Sequence, residues 1–167
     1  MKKIFFVLFA CFLMTVSAGC VSAAEIGAEV GNELAATEYV DMNGKAVTIP
    51  PKDGKVYVIN LWATWCPPCR QEMPELQKFY NKYRNDPKVG IYLIDHAESK
   101  EDVQKFMKDS NYDMPVLLDA RGNGVKMLLT RAIPTTVVID RYGVVVFRKI
   151  GPVTLAELED AIVKANK

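Results

Sequence analysis

The sequence has little of what several common function classes require. One histidine and four cysteines occur among its 167 residues, so a metal site built from several histidines is excluded. Basic residues outnumber acidic ones by only one, 21 against 20, which excludes a broad basic field for nucleic acid. Half of the residues are hydrophobic, as in an ordinary globular domain. The charge balance therefore predicts no nucleic-acid partner. We also expect no cofactor and a monomer.

The first 24 residues are predicted to be an export leader. Two lysines precede an apolar run over residues 4–16, and no residue from 4 to 24 is charged. The run is shorter than the ~20 residues that a stable membrane span needs. Three outcomes stay open: cleavage after Ala24, lipidation at Cys20, or an uncleaved N-terminal membrane anchor. The segment before Cys20 resembles a bacterial lipobox but has Ser17 where leucine is usual. Each outcome places the domain outside the cytoplasm.

Residues 25–38 are polar and small and are predicted to be a tether, and residues 39–167 are predicted to form one domain. A capping box at Thr154 and Glu157 marks the start of the last helix. Predicted strands cover residues 45–49, 56–62, 89–95, 115–118, 135–140 and 144–150, and predicted helices begin near residues 67, 99, 123 and 154. Early strands alternate with helices, and a late hairpin follows. This order predicts an α/β domain with a mixed central sheet and helices on both faces.

Cys66 and Cys69 form a CPPC motif between a predicted buried strand and a predicted helix. Two sulfurs at this spacing can meet at a helix start, where the positive dipole end favours a thiolate at Cys66. This pattern predicts a redox pair in which Cys66 attacks a disulfide and Cys69 resolves the mixed disulfide. A structural disulfide and half of a zinc site are the alternatives, although few further zinc ligands are present.

Two segments carry a family resemblance. Residues 58–76, VINLWATWCPPCRQEMPEL, resemble the extracytoplasmic thioredoxin-like reductases of the TlpA/ResA group, relatives of the cytochrome c maturation protein CcmG/DsbE. Residues 132–140, AIPTTVVID, resemble the second hallmark of that group. The resemblance covers about residues 35–165. It implies a thioredoxin-like fold in which residues 99–118 match the insertion typical of the group.

The resemblance also implies site residues. Ile133-Pro134 is expected to be a cis bond that lies against the CPPC motif and presents backbone groups to an extended client segment. The residues expected to contact the client are Trp65, Pro67, Ile133, Pro134 and Thr135. Glu72 lies one helical turn after Cys69, where ResA-like proteins carry a functional glutamate, and is expected to tune or deprotonate the Cys69 thiol. The alternative for Glu72 is a solvated carboxylate on an exposed helix face.

The implied function is a thiol-disulfide oxidoreductase that reduces client protein disulfides outside the cytoplasm. A disulfide in the CxxCH motif of apocytochrome c is one candidate client, and a membrane protein of the CcdA/DsbD type would supply electrons. A thiol peroxidase and a copper(I) metallochaperone are the alternatives. Asp95 and Glu98 are predicted to be ordinary surface acids, and His96 is predicted to be a loop residue. Asn60 stands where thioredoxin carries a buried aspartate.

Overall fold

The computed structural model describes residues 25–167, which form seven strands and four helices. The strands are β1 (Thr37–Asp41), β2 (Ala46–Ile49), β3 (Val56–Trp62), β4 (Val89–His96), β5 (Val116–Asp119), β6 (Thr135–Ile139) and β7 (Val145–Ile150). The helices are α1 (Pro67–Tyr83), α2 (Lys100–Asp109), α3 (Asn123–Met127) and α4 (Leu155–Ala165). The predicted leader and Cys20 lie outside the described residues. Within residues 25–167, no helix has both the length and the apolar character needed to cross a membrane.

The seven strands form one mixed sheet in the order β2-β1-β5-β4-β3-β6-β7. Strands β3, β4 and β5 are parallel neighbours, whereas β6 runs antiparallel to β3 and β7 antiparallel to β6. One apolar core packs side chains of α1, α2 and α4 against the sheet, and a second packs α3 and the segment before β1. The predicted α/β architecture with helices on both faces is confirmed.

The N-terminal part of the domain differs from the prediction in two ways. Strand β1 was not predicted, because its five residues include charged side chains and show only one fully buried position, Tyr39. The predicted tether is also wrong over its described length. Ala28 and Leu34 are buried, and the backbone N–H groups of Gly31 and Leu34 donate to carbonyls of Val145 and Gly143. The folded unit therefore begins before the predicted boundary at residue 39.

The central strand β3 leads directly to the CPPC motif, which follows its carboxyl end. All seven of its side chains are buried, as expected for a strand covered on both faces. It ends at Trp62, and after four residues α1 begins with Pro67 and Pro68. Proline suits the first positions of a helix because the N–H that it lacks would have no partner there. The chain therefore passes from strand to helix at the CPPC motif, as predicted.

We expect loss of the α4 capping box to destabilise the domain. The Thr154 hydroxyl accepts the Glu157 backbone N–H at 3.3 Å, and the Glu157 carboxylate accepts the Thr154 N–H at 2.9 Å, which confirms the predicted motif. A Thr154→Ala variant should lose about 1 kcal/mol of unfolding free energy in chemical denaturation. Thr154→Ser keeps the hydroxyl and is the matched control. Equal stability of the alanine and serine variants would contradict a capping role.

Candidate active site

The two cysteines lie where β3 passes into α1. Cys66 is the N-cap residue of α1, Cys69 lies in its first turn, and the two form a disulfide. The Cys69 backbone N–H donates to the Cys66 sulfur at 3.3 Å. This donor and the helix dipole can stabilise a thiolate at Cys66 after reduction. Cys66 retains slight exposure, 3%, whereas Cys69 has none, so an incoming disulfide can approach Cys66 more readily.

The loop before β6 lies directly against the Cys66 sulfur. The Ile133-Pro134 peptide bond is cis, which confirms the prediction, and the Ile133 carbonyl oxygen is 3.7 Å from the Cys66 sulfur. The hydroxyls of Thr130 and Thr135 lie 2.9 Å apart, and the Thr135 hydroxyl donates to the Ala132 carbonyl at 2.7 Å. These bonds fix the shape of the loop beside the sulfur.

The residues predicted to contact a client differ in exposure. Trp65 is 61% exposed, Pro67 is also exposed, and Ile133 is half-buried, so all three have surface beside Cys66. Pro134 is buried, and Thr135 is fully buried with its hydroxyl bonded inside the loop. The Thr135 side chain faces the interior, so a client contact at Thr135 would be made through the backbone, as the resemblance implies, and it stays a prediction.

Glu72 is buried inside the domain beneath the cysteine pair. Its side chain is 1% exposed, so the alternative of a solvated carboxylate is wrong. One carboxylate oxygen accepts the Asn60 side-chain amide at 2.8 Å, and the other accepts the Val153 backbone N–H at 2.9 Å. The Asn60 amide also donates to the Thr136 hydroxyl at 2.9 Å. A buried polar chain therefore connects β6 and β3 to α1 one turn below Cys69.

The surroundings of Glu72 raise the pKa of its carboxyl towards neutral pH. Burial raises the pKa of the Glu72 carboxyl to about 7, because the charged form is poorly solvated there. The hydrogen bonds from Val153 and Asn60 and the charge of Lys149 lower this pKa and offset only part of the effect of burial. A carboxyl with a pKa near 7 can accept and return a proton at neutral pH. The Asn60 amide, in contrast, cannot accept and return a proton at neutral pH.

Comparison with known proteins decides the family. The sequence matches the Redoxin family over residues 29–162, which is most of the chain. The chain belongs to the Redoxin family. Within it, the chain is 31% identical over 121 residues to Sporulation thiol-disulfide oxidoreductase A of Bacillus subtilis (strain 168), covering 71% of this chain and 73% of that protein. It is 32% identical over 136 residues to Thiol-disulfide oxidoreductase ResA of Bacillus thuringiensis subsp. konkukian (strain 97-27), covering 81% and 78%.

Solved structures of similar fold support the assignment of this chain to the Redoxin family. The crystal structure of StoA from Bacillus subtilis is similar with a TM-score of 0.67 and 28% sequence identity, covering 76% of this chain and 96% of that one. A thiol:disulfide interchange protein of the thioredoxin family from Chlorobium tepidum TLS is similar with a TM-score of 0.67 and 26% identity, covering 81% and 96%. This chain is therefore a TlpA/ResA-like thiol-disulfide oxidoreductase with a Cys66–Cys69 pair.

Sequence reasoning missed two acidic residues of this Redoxin-family site. Asp95 is fully buried at the carboxyl end of β4, so its prediction as a surface acid is wrong. Glu98 is bonded to Thr64, two residues before Cys66, and is not an ordinary surface acid. His96 belongs to the end of β4 and not to a loop. The position of Asp95 at the carboxyl end of a buried parallel strand was the available signal.

The described residues offer little for a metal centre. Among residues 25–167, no group of three or more histidine, cysteine, aspartate or glutamate side chains is arranged to hold a metal ion. The chemistry that the arrangement supports is thiol-disulfide exchange between Cys66, Cys69 and a second disulfide.

Proposed function

We propose that this protein reduces disulfides of client proteins outside the cytoplasm, with Cys66 as the attacking thiolate. The observation that carries the proposal is the surface around Cys66. The exposed Trp65 and Pro67 flank Cys66 in the sequence, and the Ile133 carbonyl oxygen of the cis-proline loop lies 3.7 Å from the Cys66 sulfur. An extended client segment can pair with such a loop through its backbone, in the manner of an added strand.

The proposed reaction begins from the reduced protein. The Cys66 thiolate attacks one sulfur of the client disulfide, so that a mixed disulfide forms and the other client sulfur leaves as a thiolate. Cys69 then loses its proton and attacks the Cys66 sulfur, which releases the second client thiolate. The client gains two electrons, and the protein keeps the Cys66–Cys69 disulfide seen in the structure. A membrane electron donor of the CcdA/DsbD type would return two electrons for the next cycle.

We assign Glu72 the role of proton acceptor for Cys69. It lies one helical turn after Cys69 and, by burial, has a pKa close to neutral. The negative form would take the Cys69 proton as Cys69 attacks, and the protonated form would return a proton to the leaving thiolate. A Glu72→Gln variant should therefore slow release from the mixed disulfide more than it slows the first attack. Equal rates for wild type and variant in both steps would remove this assignment.

The location and the client class rest on separate arguments. The basic and apolar character of residues 1–24 supports an export leader, with the cleaved, lipidated and anchored forms still to be distinguished. Structural disulfides are common in proteins outside the cytoplasm, so a reductase there acts on selected clients. We propose protein disulfides as the client class, and the CxxCH disulfide of apocytochrome c as the first client to test.

A trapping experiment tests the proposed function. A Cys69→Ser variant should accumulate a mixed disulfide with its client, because the second attack cannot occur. The variant is expressed with its leader, and mixed disulfides are identified by mass spectrometry from the extracytoplasmic fraction. The Cys66→Ser/Cys69→Ser double variant is the control and should trap nothing. Absence of any cysteine-dependent adduct, or tight copper(I) binding by a wild-type protein without exchange activity, would overturn the proposal.

A further inference from the structure

The segment before Cys66 is held by a side chain from a different part of the chain. Glu98, in the connection between β4 and α2, binds Thr64 through both carboxylate oxygens. One oxygen accepts the Thr64 backbone N–H at 2.6 Å, and the other accepts the Thr64 hydroxyl. Two charge-assisted bonds to one residue define its orientation more strictly than one bond would. Thr64 is followed directly by the exposed Trp65 and then by Cys66.

Glu98 is itself held in place by Asp95. Asp95 is fully buried, and one of its carboxyl oxygens accepts the Glu98 backbone N–H at 3.1 Å. Burial, together with the neighbouring carboxylates of Glu98 and Asp119, raises the pKa of Asp95 to about 8. The raised pKa disfavours the charged form of Asp95 and so lessens its repulsion of the Glu98 carboxylate. Asp119, at the end of β5, accepts the backbone N–H groups of Asn123 and Gly124.

We propose that Glu98 is a positioning residue for disulfide exchange, which fixes Thr64 so that Trp65 and Cys66 present one surface to a client. This inference rests on the proposed function, since it concerns the binding of a client protein. Glu98 acts through Thr64, and Asp95 supports it through the Glu98 backbone. Its removal should therefore change client binding and leave the sulfur chemistry intact.

Client binding and sulfur chemistry are expected to respond differently because they depend on different contacts. The Cys66 sulfur accepts the Cys69 N–H and lies at the start of α1. The Glu98 carboxylate bonds to Thr64 and to neither of these groups. The placement of Trp65 depends on the segment that Glu98 holds. When a binding surface occupies its competent conformation only part of the time, apparent affinity falls in proportion to that fraction. Release of Thr64 should therefore raise the client concentration needed for half-maximal rate and leave the maximal rate unchanged.

The test compares Glu98→Gln with wild type. The prereduced protein reduces insulin disulfides in single-turnover experiments over a range of insulin concentrations. Since glutamine replaces one acceptor oxygen by an N–H₂ group that cannot accept from Thr64, we expect the half-saturating insulin concentration to rise about tenfold and the maximal rate to change less than about twofold. The rate of Cys66 alkylation by iodoacetamide should also change less than about twofold, because this small reagent needs no docking surface.

A spectroscopic measurement reports the segment directly. The sequence contains two tryptophans, of which Trp62 is fully buried and Trp65 is 61% exposed. In time-resolved anisotropy, a fast local component assigned to Trp65 should grow in Glu98→Gln. Glu101→Gln removes an exposed carboxylate three residues further along and is the matched control. It should match wild type in insulin kinetics, alkylation and anisotropy.

A second variant decides the outcome if Glu98→Gln does not fold. Thr64→Val removes the hydroxyl that donates to Glu98 and keeps the backbone N–H. We therefore expect the half-saturating insulin concentration to rise in this variant as well, but by less than in Glu98→Gln. Combined with Glu98→Gln, it should add less than the sum of the single effects, since both act on one contact. An unchanged half-saturating concentration in both variants, or slower alkylation of Cys66 in step with slower insulin reduction, would overturn the inference. A wild-type protein that reduces no insulin would instead contradict the proposed function.

Discussion

Replacement of Cys66 by serine should abolish disulfide reduction, with a loss of at least about 1,000-fold in the rate of insulin reduction. A serine hydroxyl is almost fully protonated at neutral pH, whereas the N-cap position of Cys66 and the Cys69 N–H at 3.3 Å favour a thiolate. Cys69 is the other cysteine among residues 25–167. Its side chain is fully buried, so it cannot replace Cys66 as the attacking thiol. The measurement is turnover of insulin with an added dithiol to regenerate the protein.

Cys69→Ser is the matched control for this prediction. It changes the same element to the same side chain but leaves the attacking sulfur in place. It should retain the first attack, seen as a stoichiometric mixed disulfide, and lose multiple turnover. If Cys66→Ser formed that adduct and Cys69→Ser did not, the two cysteines would have the opposite roles. If Cys66→Ser turned over insulin at the wild-type rate, the site would lie elsewhere.

The second large effect concerns the buried carboxyl of Glu72. Its pKa is about 7 in the folded protein, against an ordinary value of 4.5. A carboxyl whose pKa is raised by folding is destabilising in its charged form, so its contribution is most favourable below about pH 4.5 and declines as pH rises through about 7. The full decline corresponds to about 3 kcal/mol of unfolding free energy. Chemical denaturation from pH 5 to 9 in one redox state should show this decline.

A Glu72→Gln variant isolates the Glu72 contribution. The raised pKa of Asp95 makes wild-type stability fall further at higher pH, and the variant retains that part. From pH 5 to 8, the difference in unfolding free energy between wild type and variant should therefore follow the titration of Glu72 alone. The glutamine side chain keeps one acceptor oxygen, and its amide nitrogen cannot accept from Asn60 or Val153. A constant loss of about 1 kcal/mol from this missing hydrogen bond should therefore be added to the pH-dependent difference.

Glu38→Gln provides the control for this profile, because Glu38 is an exposed carboxylate on β1. Its stability should run parallel to that of wild type across the pH range. A parallel profile for Glu72→Gln would contradict the titration that we expect from burial of this carboxyl.

Much of the fold could be predicted from local patterns. The β-branched and aromatic residues of β3 predict a buried strand, and Thr154 with Glu157 predicts the start of α4, and the structure confirms both. Strand β1 could not be predicted, because a five-residue strand with alternating exposure carries little periodic signal. The segment before it is predicted to be a tether because its residues are polar and small. Its packing depends on backbone bonds to Val145 and Gly143, which are distant in sequence and leave no local pattern.

The CPPC motif between a predicted strand and a predicted helix was enough to predict thiol-disulfide exchange, because it places a sulfur at a helix start. The sequence also indicated the cis-proline loop, through the resemblance of residues 132–140. The environments of the acidic residues, in contrast, depend on contacts between elements that are distant in sequence. The resemblance indicates a role for Glu72 but not its burial, and Asp95 is predicted to be an ordinary surface acid. The pKa values of both carboxyls depend on burial and on partners from other elements. The contact between Glu98 and Thr64 spans 34 residues, and no local pattern reports it because it arises when β3 and β4 lie side by side.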